Sequence, residues 1–220
     1  MKELKPYRVL NLYACLGGNR LLWENCEVTA VELDPELARM YQERFPNDTV
    51  IVADAHQYLL DHYKEFDFIW SSPPCPTHSR IRYNQAKGRN DDVYKVEYAS
   101  MLLYQEIILL DNYFDGKYVV ENVIPYYEPL IPAIKRGRHL YWTNFLLPNE
   151  LSKRKVQVGA GKNEVRKLCE FHKIDLSSYK GTQRKDKIAR NLVDYEAGKT
   201  IFDTAQGIYK ANDINQTTLF

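Results

Sequence analysis

Apolar, β-branched and aromatic runs alternate along this chain with longer stretches of helical period, the pattern of strands joined by crossover helices in a parallel sheet. The spacing predicts strands over Tyr7–Tyr13, Glu27–Leu33, Thr49–Ala53, Phe66–Ser71, Lys117–Glu121 and His139–Leu147, with helices between them. The helix after the second strand has the clearest start. Asp34 can cap the free amides of its first turn, and Pro35 stands where a missing N–H costs nothing. It should end near Arg44. A longer helix is predicted over Tyr94–Tyr113, with Tyr98, Leu102, Ile108 and Leu109 among its apolar positions. After Leu147 the periodicity gives way to basic, polar sequence with Gly159, Gly161 and Gly181, and it returns near Arg190–Thr204. The expected organisation is an α/β body over residues 1–147, a small basic insertion over 148–189, and a closing stretch over 190–220 whose helix returns to the body.

At 220 residues the chain has room for one sizeable core. Hydrophobic residues at 45% and charged residues at 27% exclude the disordered and collagen-like classes. No apolar run approaches the roughly 20 residues of a membrane span, and the opening MKELKPYRVLNLY lacks a signal peptide's apolar stretch. A cytoplasmic location with no membrane contact is expected. Cys15, Cys26, Cys75 and Cys169 form no CxxC pair, so neither a disulfide framework nor a metal site is expected.

The net charge of +1 conceals an asymmetry. Between Ser152 and Arg190 twelve Lys or Arg face four acids, so this segment carries +8 and the remainder −7. A solvated surface would account for such a run; a polyanion partner would use it.

The stretch VLNLYACLGGNRLLWE runs from a strand through a glycine pair into a helix, where open α/β sheets bind ligands beyond the carboxyl ends of their strands. Gly17 and Gly18 permit close approach of backbone to ligand. VELDPE then places Glu32 where a ribose diol would sit, and VADAHQ ends the third strand at Asp54. Acids at strand ends are frequently helix caps, but this serial order describes a nucleoside site suited to S-adenosylmethionine. Farther on, SSPPCPTHS brackets Cys75 with prolines that fix φ on both sides. Such a thiol is either a buried packing residue or an aimed nucleophile.

Together YACLGG, VELDP, SPPCPTHS and VVENV (Val119–Val123) make the sequence resemble the DNA cytosine-5 methyltransferases. RGRHLYWTNF from Arg136 and RNLVDYEAG from Arg190 are weaker matches. The resemblance spans Val9 to Phe145 and Arg190 to about Thr204, and has the character of a compact phage or prokaryotic enzyme. It implies a Rossmann-like, mostly parallel sheet with helices on both faces, and methyl transfer from S-adenosyl-L-methionine to carbon 5 of cytosine in double-stranded DNA. It assigns catalysis to Cys75, Glu121 and Arg138. Cofactor binding falls to Tyr13, Ala14, Gly17, Gly18, Glu32, Leu33, Asp54, Ala55, Ser72, Pro74 and Asn191.

The chemistry needs these residue types. Carbon 5 of cytosine is a weak nucleophile until a thiolate adds to carbon 6. A carboxylic acid at ring nitrogen 3 relieves the charge that develops, and Glu121 matches that role if partial burial keeps it protonated. The target base must leave the helix to meet the thiol. The polar stretch THSRIRYNQAKGRNDD is expected as a mobile loop over the substrate, and Ser79, Arg80, Arg82, Arg136, Lys153, Arg154, Lys155, Arg184 and Lys185 as DNA contacts. The insertion's brevity implies a recognition sequence of about two to four base pairs. A monomer is expected.

The departures from the family pattern are specific. Cys15 replaces a usual glycine, Pro73 a bulky aromatic and Pro76 a glutamine. An ungapped alignment puts Gly137 and His139 at the family's two arginine positions, whereas a one-residue shift uses Arg136 and Arg138, so the second basic contact is open. Two rival substrates also stand: an exocyclic amine of DNA, because SSPP resembles the loop of those enzymes, and cytosine in RNA.

Overall fold

β1 (Tyr7–Leu12) buries Val9, Leu10, Asn11 and Leu12 in succession, which happens only to a central strand covered on both faces. The computed structural model describes residues 5–88, 97–153 and 163–208. Around β1 a single sheet is built from β2 (Cys26–Glu32), β3 (Thr49–Val52), β4 (Phe68–Ser71), β5 (Lys117–Val123), β6 (Ile134–Arg136) and β7 (His139–Thr143), in the order β3-β2-β1-β4-β5-β7-β6. The first five strands are parallel. β7 runs antiparallel to β5, and β6 antiparallel to β7. The strand order reverses between β1 and β4, so a crevice opens beyond the carboxyl ends of those two strands. This is the Rossmann-like sheet that the resemblance implies.

Each face has its own core. On one, Leu10, Leu12, Ile69 and Val120 pack against Leu59 of α2 (Ala55–His62) and against Leu103, Ile107 and Leu110 of α4 (Leu102–Tyr113). On the other, Val9, Phe68, Trp70 and Val119 meet Ile201 and Phe202 of α7 (Tyr195–Ala205), with Trp23 stacked on Phe202 at 4.9 Å. α1 (Pro35–Arg44) starts where predicted: the Asp34 carboxylate accepts from the amides of Glu36 and Leu37, and Pro35 opens the first turn.

Three expectations change. α4 begins at Leu102, not Tyr94, which lies outside the described residues; Glu97–Ser100 has no regular structure because the Thr77 hydroxyl takes the Ser100 amide. The later start moves the buried face to Leu103, Tyr104, Glu106, Ile107 and Leu110, while Tyr98, Leu102 and Ile108 face outward. The stretch expected as a mobile loop folds instead into α3 (Arg80–Gly88) as far as it is described. Tyr83 stacks on Tyr126 at 4.1 Å, and the Arg80 Nε donates to the Pro125 carbonyl, so tertiary contacts supply what its polar composition lacks. β6 is an added strand, completed by a tight turn in which Gly137 has φ +57°.

The basic stretch after Leu147 carries α5 (Glu164–His172) and α6 (Lys185–Asn191). Leu168, Leu176, Tyr179, Ile188 and Ala189 share a core with Leu16 and Leu37 of the body. Tyr179 Oη and Gln183 Nε2 donate to the second oxygen of Asp34 at 2.8 and 3.0 Å, and Arg44 reaches the carbonyls of Leu16 and His172.

Candidate active site

The turn after β1 folds back tightly: Tyr13, Cys15 and Gly17 all have positive φ (55°, 48° and 65°). That conformation costs a residue with a Cβ about 1–2 kcal/mol. Two hydrogen bonds offset it, from the Cys15 amide to Glu32 (2.8 Å) and from the Tyr13 hydroxyl to Glu106 (2.6 Å). The result is a cleft lined by Asn11 to Cys15, Gly18, Asn19, Ser72 and Asn191 to Val193. A Cβ on Gly18 would stand 2.5 Å from the Val193 carbonyl oxygen, so only glycine lets the late segment close this cleft.

Of the sequence-predicted cofactor residues, the cleft gathers Tyr13, Ala14, Gly18, Ser72 and Asn191. Gly17 lies under Tyr41 and Phe45. Glu32 is 8% exposed and accepts from the amides of Cys15 and Asp34; burial is the main influence on its carboxyl and raises its pKa. Leu33 is 67% exposed at the end of β2, an apolar face for a flat ring. Asp54 caps α2 through the Gln57 amide. Ala55 is buried in the core beneath it, and Pro74 is exposed. A polar cleft with a bare-backbone glycine wall and an exposed leucine at the next strand end suits a nucleoside bearing an amino-acid tail.

Across the crevice, Cys75 and Glu121 come together. The loop after β4 is pinned by the His78 and Ser79 amides, which donate to the Cys75 carbonyl at 3.0 Å, and by Asn122 Nδ2, which donates to the Pro73 carbonyl at 3.0 Å. Glu121 is 7% exposed at the end of β5. Burial raises the Cys75 thiol pKa, the Glu121 carboxylate raises it further, and Lys187 on α6 acts in the opposite direction.

The β6–β7 hairpin separates the candidate basic residues. Arg136 donates to the carbonyls of Pro148, Leu147 and Lys135 and to Asn149, so its guanidinium fastens the chain leaving the sheet. Arg138 is exposed in the turn. His139 places Nε2 3.4 Å from Glu121 Oε1.

The predicted DNA contacts are scattered over one chain segment and the α3 region. Ser79 bridges to Pro125, Arg80 holds the Pro125 carbonyl, and Arg82 pairs with Glu97 at 2.7 Å. Arg184 pairs with Asp186, Lys185 reaches the Ser177 carbonyl at 3.4 Å, and Lys153 is exposed. Arg154 and Lys155 lie outside the described residues. Exposed pairs of this kind are weak enough to exchange for phosphates.

Sequence reasoning missed a buried carboxylate. Glu106, with no exposed surface, takes Tyr13 Oη at 2.6 Å, His56 Nδ1 at 3.1 Å and Ser71 Oγ at 2.5 Å, and so fixes the aromatic wall of the cleft. An acid on the buried face of a helix is its only sequence signal. Among the described residues no group of three His, Cys, Asp or Glu gathers as a metal site, and no helix is long and apolar enough to cross a membrane.

A mostly parallel sheet with an antiparallel β7, a glycine turn and a cleft at the β1/β4 reversal define the class by fold: a Rossmann-like α/β protein with a ligand cleft at its switch point. The family model for the C-5 cytosine-specific DNA methylases matches residues 7–123, more than half of the chain, and the chain belongs to that family. It is an enzyme, a cytosine-5 methyltransferase with DNA as its substrate. No curated protein matches the chain significantly. Among solved structures, a hypothetical protein of Thermus thermophilus is 21% identical over 63% of this chain and 74% of its own, with a TM-score of 0.42. DNMT2 of Spodoptera frugiperda is 24% identical over 53% of this chain and 35% of its own, with a TM-score of 0.35. The Entamoeba histolytica methyltransferase EhMeth is 10% identical over 94% of this chain and all (100%) of its own, with a TM-score of 0.47.

Proposed function

We propose that the enzyme works through a transient bond between Cys75 Sγ and carbon 6 of a cytosine turned out of the DNA helix. The observation that carries this reading is the tie between β5 and the loop after β4: Asn122 Nδ2 donates to the Pro73 carbonyl, which joins the strand carrying Glu121 to the loop carrying Cys75. The thiolate adds to carbon 6 and opens the 5,6 double bond; Glu121 shares its proton with ring nitrogen 3 as charge gathers there. Bound S-adenosylmethionine supplies the electrophilic methyl group. Tyr13, Gly18, Ser72 and Asn191 hold the cofactor, with Glu32, Leu33 and Asp54 at the neighbouring strand ends. Loss of the carbon-5 proton then expels Cys75 and restores the ring. Arg138 serves a flanking phosphate or the cytosine carbonyl.

The segment over 148–189 serves as the target-recognition region on the body over 1–147, closed by 190–220, and its excess of positive charge meets the backbone of double-stranded DNA. Its small size supports a recognition sequence of about two to four base pairs. The reading takes the enzyme as a monomer. A reactive thiol needs a reducing compartment, which supports the cytoplasm.

The test is covalent trapping. Incubated with cofactor and duplex DNA bearing 5-fluorocytosine, the protein should form an adduct that survives denaturation, and Cys75→Ala should form none. Methyl label on the exocyclic amine, or turnover on RNA cytosine but not on DNA, would overturn the reading.

A further inference from the structure

We propose that His139 is the positioning residue of Glu121, holding its carboxyl in place for the target base. The inference rests on the reading that Glu121 meets the target base.

The register of the hairpin fixes the geometry. In the antiparallel β5–β7 pair, Val123 faces His139 and Glu121 faces Tyr141. Directly paired residues share a face and so do residues two apart, which makes Glu121 and His139 diagonal neighbours on one surface. The observed 3.4 Å from Nε2 to Oε1 is that diagonal contact, between side chains 28% and 9% exposed. Arg136, the β6 partner of His139, has turned its guanidinium to the carbonyls of Leu147 and Pro148 and is occupied there.

The contact divides the work of the carboxyl. With Nε2 on Oε1, the other oxygen, Oε2, is left to carry a proton to ring nitrogen. A guanidinium in the same place could donate to the same oxygen. Around the pair stand Cys75, whose thiol pKa Glu121 helps to raise, Tyr141 on the same strand with its ring centroid 6.4 Å from that of His139, and Arg138 at the turn.

The experiment measures kcat and KM for duplex DNA with saturating S-adenosylmethionine for the wild type, His139→Ala and His139→Arg, with a thermal melt of each. For His139→Ala the expected result is a kcat lowered about tenfold or more, with KM for DNA and the melting temperature little changed. His139→Arg should recover most of the rate. An unchanged kcat in His139→Ala, a loss confined to KM, or no recovery in His139→Arg would overturn the inference. Trapping by 5-fluorocytosine separates the two failures. A wild type that never traps sinks the Cys75 and Glu121 reading, whereas a wild type that traps, with kcat unchanged in His139→Ala, sinks only the role of His139.

Discussion

Asn122 Nδ2 donates to the carbonyl oxygen of Pro73 at 3.0 Å, and this bond joins the strand carrying Glu121 to the loop carrying Cys75. Asn122 is 2% exposed, and its own side-chain oxygen accepts the Val123 amide at 2.9 Å. Asn122→Asp keeps the acceptor but loses the donor, leaving two buried oxygens face to face. Stability should fall by about 1–3 kcal/mol, and kcat should fall more than cofactor affinity. Denaturant melts and turnover with cofactor titration read the two effects separately.

Asp34 divides its carboxylate between capping α1 and holding Tyr179 and Gln183. Asp34→Ala removes a cap worth about 1 kcal/mol together with the anchor of the basic segment. We expect a lower melting temperature and faster proteolysis between residues 163 and 191. Tyr179→Phe should reproduce the proteolysis while leaving the cap intact.

His172 is 3% exposed at the end of α5, and burial is the main cause that lowers its pKa to about 4, with the charge of Arg44 adding to it. A base held neutral in the folded state binds fewer protons than in the unfolded one. Stability is therefore fully present above the unfolded value of 6.5 and is lost as pH falls toward 4. The loss should approach roughly 3 kcal/mol. Melting temperatures between pH 7 and 4 should decline less steeply for His172→Gln than for the wild type.

Salt should weaken DNA binding steeply. Each phosphate contact contributes about −0.9 to the slope of log K against log salt. Lys153→Ala and Lys185→Ala should each flatten the slope by about one such step without changing the preferred sequence. An unchanged slope for both would show that DNA passes elsewhere.

Much of the candidate site was legible because it depends on residues close in sequence to strand ends. Glu32, Asp34, Asp54 and Glu121 all stand where a strand gives out, and the Asp34–Pro35 pair announces α1 by local chemistry alone. What was not legible depends on partners far along the chain. Nothing near Asp34 points to Tyr179, 145 positions away, and nothing near Tyr13 points to Glu106, 93 away. α3 read as a loop because its own residues are polar; its order comes from Tyr126 and Pro125. The late start of α4 was hidden because Tyr98 and Met101 extend its apolar pattern backward.

The contact of Gly18 with Val193, and of Trp23 Nε1 with the Gly198 carbonyl 175 positions away, has a consequence during synthesis. A ribosome that has made the first five strands has produced only one wall of the cleft behind β1. Until the stretch through Gly198 emerges from the exit tunnel, the second wall is missing and the sheet must wait with its α7 side bare.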